Sequence, residues 1–277
     1  MAKDIIEVAT ISDTGQKRPH NEDSAVTDSG LGLAIVADGM GGHKAGEVAS
    51  AIAAQLISNE VTAKAGRLDP NKSADASGLS PASIIVRDAI SRANSEVYRT
   101  AQEVPQCQGM GTTVVVVFYH KNRVSIAHVG DSRVYRMRGD EFVQITRDHS
   151  LIQELIDRDF FTPEEAAANT PKNLVTRALG IELNVEVDVQ EQEAEPGEIY
   201  LLCSDGLNDM VDDEEIHLTL SKYSADLVEA AQELVRLANE KGGKDNVSVV
   251  LVRPQYAGAG GAGCKARFNS FGKNAAE

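Results

Sequence analysis

Cysteine is scarce in this chain. Cys107, Cys203 and Cys264 are odd in number, widely spaced and form no Cys-x-x-Cys pair, which argues against a disulfide framework and against a cysteine-ligated zinc site. Positive charge is short as well: 27 Lys and Arg stand against 42 Asp and Glu, for a formal net charge of -15. Nucleic acid is therefore not an expected partner, because affinity there comes largely from cations that neutralise phosphates. No apolar stretch approaches the roughly 20 residues of a membrane span. The opening MAKDIIEVAT carries no signal-peptide pattern, so the expectation is a cytoplasmic protein without a membrane span. Several phosphate chemistries also lack their signatures: there is no Gly-Lys-Ser/Thr loop, no Cys-x5-Arg loop and no His-Glu-x-x-His.

What is present is an ordinary globular composition, 42% hydrophobic and 25% charged over 277 residues, enough for one large domain. Short β-type runs dominate, at 5–12, 23–27, 31–37, 112–120, 123–129, 132–138, 141–145, 185–190, 198–203 and 247–253. The run 112–119 is apolar on both faces and suits a central strand covered on both sides. Arg138-Gly139-Asp140 reads as a hairpin turn. Helical periodicity falls in two pairs, 45–65 with 83–100 and 212–221 with 225–241, and a shorter charged helical region spans 150–159 and 163–168. The stretch 66–79 reads as a loop. The end, 255–277, is rich in Gly, Ala and Lys and reads as a disordered tail. Strands and paired helices in this order do not make an alternating parallel sheet. They predict an α+β fold, an antiparallel sandwich with helices packed outside.

Acidic residues recur where apolar runs end. Leu33-Ala-Ile-Val-Ala-Asp38-Gly39, Val129-Gly130-Asp131, Leu201-Leu-Cys-Ser-Asp205-Gly206 and Gly242-Gly-Lys-Asp245-Asn246 are each read as an apolar strand running straight into Asp and then a Gly or Asn turn. Arg18-Pro-His-Asn21-Glu22-Asp23 precedes a strand. One Asp-Gly alone is an ordinary turn. Five such segments in one chain predict hard oxygen ligands for Mg²⁺ or Mn²⁺ rather than zinc, arranged so that two cations could clamp a phosphoryl group. Asp131 is expected in a tight turn, outside the core.

Taken in order, Arg18-Pro-His-Asn-Glu-Asp23, Ala37-Asp-Gly-Met-Gly-Gly-His43, Gly111-Thr-Thr113, Gly130-Asp-Ser-Arg133, Ser204-Asp-Gly-Leu207 and Gly243-Lys-Asp-Asn246 resemble the motifs of the metal-dependent protein phosphatase family, also called protein phosphatase 2C, in its compact bacterial form. The resemblance implies a phosphatase domain over 1–254, built as two antiparallel sheets flanked by helix pairs, with a flap at 147–180. It implies a protein-serine/threonine phosphatase that uses two to three Mn²⁺ or Mg²⁺ ions and direct attack of a metal-bound hydroxide. Its partners would be phosphorylated proteins, with a bacterial Ser/Thr kinase as its counterpart. By that resemblance Asp38 bridges two metals, Gly39 offers a carbonyl, Asp205 and Asp245 hold the second metal, Asp23 (beside Glu22) holds coordinated water, and Asp131 serves a third metal with Asp205. Arg18 resembles the residue that grips substrate phosphate. Where animal relatives have His after Asp-Gly, this chain has Met40, so the proton donor to the leaving group stays open, with water on the third metal as the candidate.

Plainer readings compete at several residues. His43 suits a helix start, His149 follows Asp148 in the expected flap, Asp212 to Glu215 suit a solvated helix start favoured by the dipole, and Cys203 suits packing in a buried strand. A nucleotide-binding module is the first rival, because Gly39-Met-Gly41-Gly42 opens a helix, yet Asp38 there would repel phosphate without a metal. A catalytically weak, family-shaped regulatory or phosphoprotein-binding module is the second, but it should have lost a metal aspartate and none is missing. Other metallophosphoesterases use paired histidines, which this chain does not show.

Overall fold

The computed structural model describes residues 5–42, 45–66, 68, 78–171 and 174–255; His43, Cys264, most of the expected loop at 66–79 and the expected tail after Gln255 lie outside them. In chain order the elements are β1 (Ile6–Asp13), β2 (Asp23–Asp28), β3 (Leu33–Met40), α1 (Ala45–Ala65), α2 (Pro81–Glu103), β4 (Gly111–Thr112), β5 (Val114–His120), β6 (Arg123–Val129), β7 (Arg133–Arg138), β8 (Glu141–Gln144), α3 (Leu151–Asp157), α4 (Pro163–Asn169), β9 (Asp188–Glu193), β10 (Ile199–Cys203), α5 (Asp205–Asn208), α6 (Asp213–Lys222), α7 (Leu227–Glu240) and β11 (Val247–Pro254). No helix among the described residues is long and apolar enough to cross a membrane.

Two antiparallel sheets result, ordered β1-β11-β10-β7-β8 and β2-β3-β5-β6-β9, with β4 paired to the end of β3. Alternation along the strands explains why they stack. In β5, Val115, Val117 and Tyr119 face the other sheet, while Val114, Val116 and Phe118 face helices; in β11, Val250 and Val252 face inward, while Val249 and Leu251 face helices. A strand buried on both sides reads as a continuous β-branched run, and such runs stabilise by roughly 1.5–3 kcal/mol for each large side chain fully removed from water. Helices α1 and α2 cover the outer face of one sheet through small residues such as Ala49, Ala53, Ala89 and Ala93. Helices α6 and α7 cover the other through Ile216, Leu220, Leu227 and Leu234. Helix starts follow local chemistry: Ser80 caps α2 with Pro81 behind it, Asp212 accepts the Glu215 amide at α6, and Asp226 accepts two amides at α7.

The structure corrects several expected boundaries. The single strand expected at 112–120 breaks at Thr113, because Thr113 turns its amide to the Asp38 carbonyl. The strand expected at 185–190 pairs only from Asp188 and runs to Glu193, while Val185 and Val187 pack as irregular chain against the α1–α2 core. Asp38 and Gly39 are not a turn: β3 runs through both, with Gly39 opposite Thr112. Asp205 opens a helical turn behind Ser204 rather than a Gly turn, and Asp245 follows the end of a helix, not of a strand.

Candidate metal centre

One end of the sandwich gathers the predicted residues. Asp38 stands directly opposite Asp23 in the β2–β3 ladder, and its backbone is held on both sides. Its amide donates to Thr113 Oγ1 at 3.2 Å. Its carbonyl accepts from the Thr113 amide at 2.9 Å and from Thr112 Oγ1 at 2.8 Å. Gly39 allows α1 to begin beside the strand, since a Cβ there would overlap the Gly46 carbonyl. The second sheet brings Asp205 and Asp245. Ser204 donates its hydroxyl to Asp23 Oδ2 at 2.8 Å and accepts the Ser248 amide at 2.9 Å, which ties the two sheets together behind the site. Asp245 Oδ2 receives Arg18 Nη2 at 2.6 Å, and Arg18 remains half exposed, with 49% of its side chain in solvent.

Asn246, given no role by sequence reasoning, organises the loop that carries Arg18. Its Oδ1 accepts the Glu22 amide at 2.8 Å, and its Nδ2 donates to the carbonyls of Thr14 and His20, both at 2.9 Å. Its place in Gly243-Lys-Asp-Asn246 was the available signal. A cleft of about 200 Å³ is lined by Arg18, Glu22, Asp38, Gly39, Asp131, Asp205 and Asp245, with Met40 at its side. Asp23 lies behind that cleft. A neighbouring cleft of about 200 Å³ shares Asp131 and Asp205 and is walled by Arg133, Asp148 and Asp209. Asp131 does sit in the turn between β6 and β7, but it is 9% exposed and belongs to the interior, because the chain crosses from one sheet to the other there.

Electrostatics make the purpose of this end legible. Burial first, then the charges of Asp23, Asp205, Asp245 and Asp131, push the Asp38 pKa well above the carboxylate range. Burial followed by Asp131 and Asp245 does the same to Asp205. Burial raises Asp23 and Asp131 to about 6 each. Asp23 Oδ1 and Asp205 Oδ1 are buried with no hydrogen-bond partner, a costly state for a carboxylate in a finished protein. Grouped carboxylates with unsatisfied oxygens fit hard divalent cations such as Mg²⁺ or Mn²⁺; Asp38, Asp205, Asp245, Asp131 and Asp23 are the side chains available to hold them.

A family model described as Protein phosphatase 2C matches residues 16–251. This chain belongs to that family. The Serine/threonine protein phosphatase PstP of Mycobacterium tuberculosis is 41% identical over 249 residues, 89% of this chain and 45% of the relative, so the chain spans less than half of that relative's length. The Serine/threonine phosphatase stp of Listeria welshimeri is 37% identical over 244 residues, 87% of this chain and 93% of the relative. A crystal structure of the PstP catalytic domain in complex with 2 manganese ions superposes with a TM-score of 0.73 at 38% identity, covering 90% of this chain and 97% of that one. The fold expected from the motifs is thus the family's.

Proposed function

We propose that this chain hydrolyses phosphoserine and phosphothreonine on proteins at the cleft between Arg18 and Asp205. The observation that carries the reading is the convergence, from two sheets, of buried carboxylates with oxygens that lack any partner. Divalent cations bound there would supply positive charge to phosphoryl oxygens and lower the pKa of a water so that it can attack phosphorus in line. Asp38, on its fixed strand, is assigned as the ligand common to two cations, with Gly39 beside it offering a carbonyl. Asp205 and Asp245 are assigned to the second cation, Asp23 orders the water behind the site, and Asp131 with Asp205 serves a third.

Arg18 is positioned at the rim to leave Asp245 and take two phosphate oxygens in a charge-assisted fork. Met40 has no acidic proton to donate, so protonation of the leaving oxygen is assigned to water ordered near Asp131. Phosphorylated proteins are the substrates, and a bacterial Ser/Thr kinase is the counterpart that would supply them.

The test is direct. Purified chain with Mn²⁺ or Mg²⁺ should release phosphate from phosphoserine and phosphothreonine peptides, and a chelator should abolish it. Sustained turnover in chelator would overturn the reading.

A further inference from the structure

Behind the β6–β7 turn, at the root of the flap, His128, His149 and Asp188 bring their ligand atoms within 4.8 Å of one another. The spacing would suit a cation, but the place is taken. Arg177 Nη1 lies 2.8 Å from Asp188 Oδ1 and 3.1 Å from His149 Nε2, and His128 Nε2 is engaged by the Arg147 carbonyl at 2.8 Å. The cluster is a hydrogen-bonded assembly, and its outlet is the residue before Asp131. The Gly130 amide donates to His149 Nδ1 at 3.1 Å, and the Gly130 carbonyl accepts the His149 amide at 3.0 Å.

The topology explains why Gly130 needs such a partner. Strand β6 pairs with β5 and β9, whereas β7 pairs with β10 and β8, so residues 130–132 cross between sheets and belong to neither ladder. Gly130 adopts φ +105°, and a Cβ there would press on Thr113. A buried amide outside any ladder needs an acceptor from elsewhere, and His149 Nδ1 is that acceptor. Because Nδ1 accepts, the ring proton sits on Nε2, with Asp188 Oδ2 at 3.4 Å as its acceptor. Arg177 Nη1 is itself a donor and gives its protons to Asp188 Oδ1 and the Glu186 carbonyl, so its approach to Nε2 is a close contact and not a hydrogen bond. The ring stacks on His128 with centroids 4.6 Å apart. From the flap side, the Thr176 amide holds the His149 carbonyl at 2.8 Å, and Asp148 next door accepts three hydrogen bonds from Arg133 at 2.7–3.0 Å.

We propose that His149 is a positioning residue: through the Gly130 amide it fixes the crossing that carries Asp131, so that the root of the flap and the Asp131 carboxylate keep one geometry. The inference rests on the role proposed above for Asp131.

Four proteins test it: His149→Ala, His149→Asn (whose Oδ1 can take the acceptor position of Nδ1), Asp131→Ala, and the double variant His149→Ala with Asp131→Ala. With Mn²⁺ present, His149→Ala should lower kcat on a phosphothreonine peptide about 10-fold, in keeping with a small misplacement of a working group, with KM unchanged and a smaller loss on an aryl phosphate. His149→Asn should recover most of that loss, and the double variant should be no worse than Asp131→Ala alone. Independently of turnover, nitrogen NMR of the wild-type protein should show His149 protonated on Nε2 only. Amide exchange should show Gly130 protected in wild type and in His149→Asn. A folded His149→Asn as poor as His149→Ala, multiplicative losses in the double variant, or a proton on Nδ1 would each overturn the proposal. If His149→Ala does not fold, the Asn variant and the wild-type tautomer still decide it. Full peptide turnover in Asp131→Ala would instead sink the role of Asp131 and, with it, the catalytic half of this inference; a protected Gly130 amide alongside would mark that as the failure of the first reading and not of the His149 contact.

Discussion

Asp38 and Asp131 stand in the same cleft and are held in opposite ways. Asp38 is inside a strand, and its backbone is fixed by the ladder to Asp23 and by three hydrogen bonds with the Thr112–Thr113 pair, two accepted and one donated. Asp131 is on a sheet-to-sheet crossing, where Ser132 reaches Thr113 Oγ1 at 2.7 Å and Gly130 reaches His149. One carboxylate sits inside a strand, paired to Asp23 and clamped by Thr112 and Thr113. The other sits outside both ladders and depends on the side chains of Thr113 and His149. A metal site built on both, as proposed, would have a rigid half and a half that His149 can reach.

Removing the rigid half should cost most. Asp38→Asn is expected to lower turnover by roughly 10³-fold or more, as losing a central metal ligand removes both charge and water activation. Calorimetry should show that paired Mn²⁺ binding is lost while circular dichroism stays native. The metal-free variant should also melt above metal-free wild type, because the buried, mutually repelling carboxylates that drive the Asp38 pKa upward are relieved. Two Mn²⁺ bound at near-normal affinity would refute the bridging assignment.

Removing the other half should be more selective. Asp131→Ala is expected to reduce kcat on a phosphoserine peptide by roughly 10²-fold, the range for lost general acid catalysis, with KM little changed. An aryl phosphate, whose leaving group needs no proton, should lose less. Equal losses on both substrates would count against a leaving-group role.

Arg18→Ala leaves Asp38 and Asp131 in place and removes only the ion pair to Asp245, and its effect should appear in KM. Loss of a charge-assisted fork corresponds to about a tenfold rise, with Mn²⁺ stoichiometry intact. Unchanged kinetics would return Arg18 to the surface.

The smallest effect is a pH dependence of metal binding. Asp23 and Asp131 titrate at about 6 in the metal-free fold, above their ordinary range, because burial disfavours the charge. Their contribution to metal-free stability is therefore full below the unfolded value of about 4 and is lost as pH rises through about 6. A cation requires the ionised form, so apparent Mn²⁺ affinity should climb several-fold from roughly pH 6 to pH 7 and then level off. Titrations in buffers of different ionisation heat should register proton release at the lower pH. Affinity that is flat across the interval would show these carboxylates to be ionised already.

Much of this was readable before folding. The apolar run 112–119 announced a strand covered on both faces, and β5 is buried to both helices and sheet. The order of the Asp motifs pointed to Asp38, Asp131, Asp205 and Asp245, which line one cleft. Less readable was the local setting of each. Asp-Gly looks like a turn wherever it occurs, but at 38–39 the glycine serves close packing of α1 on a continuous strand. Asp131 looked like a surface turn and is buried, because turn chemistry does not reveal that the turn bridges two sheets.

By itself the sequence determined the strands, the helix pairs and the acidic residues at their ends, since periodicity, capping and turn chemistry act over a few residues. Tertiary structure alone decided that Asn246 would hold the Arg18 loop 226 and 232 residues away, that His149 would serve Gly130, and that Asp23 and Asp205 would keep unpaired oxygens side by side with Asp38. Those outcomes depend on which strands become neighbours and on what burial does to charge. Both are properties of the packed sandwich, and no short window of sequence contains them.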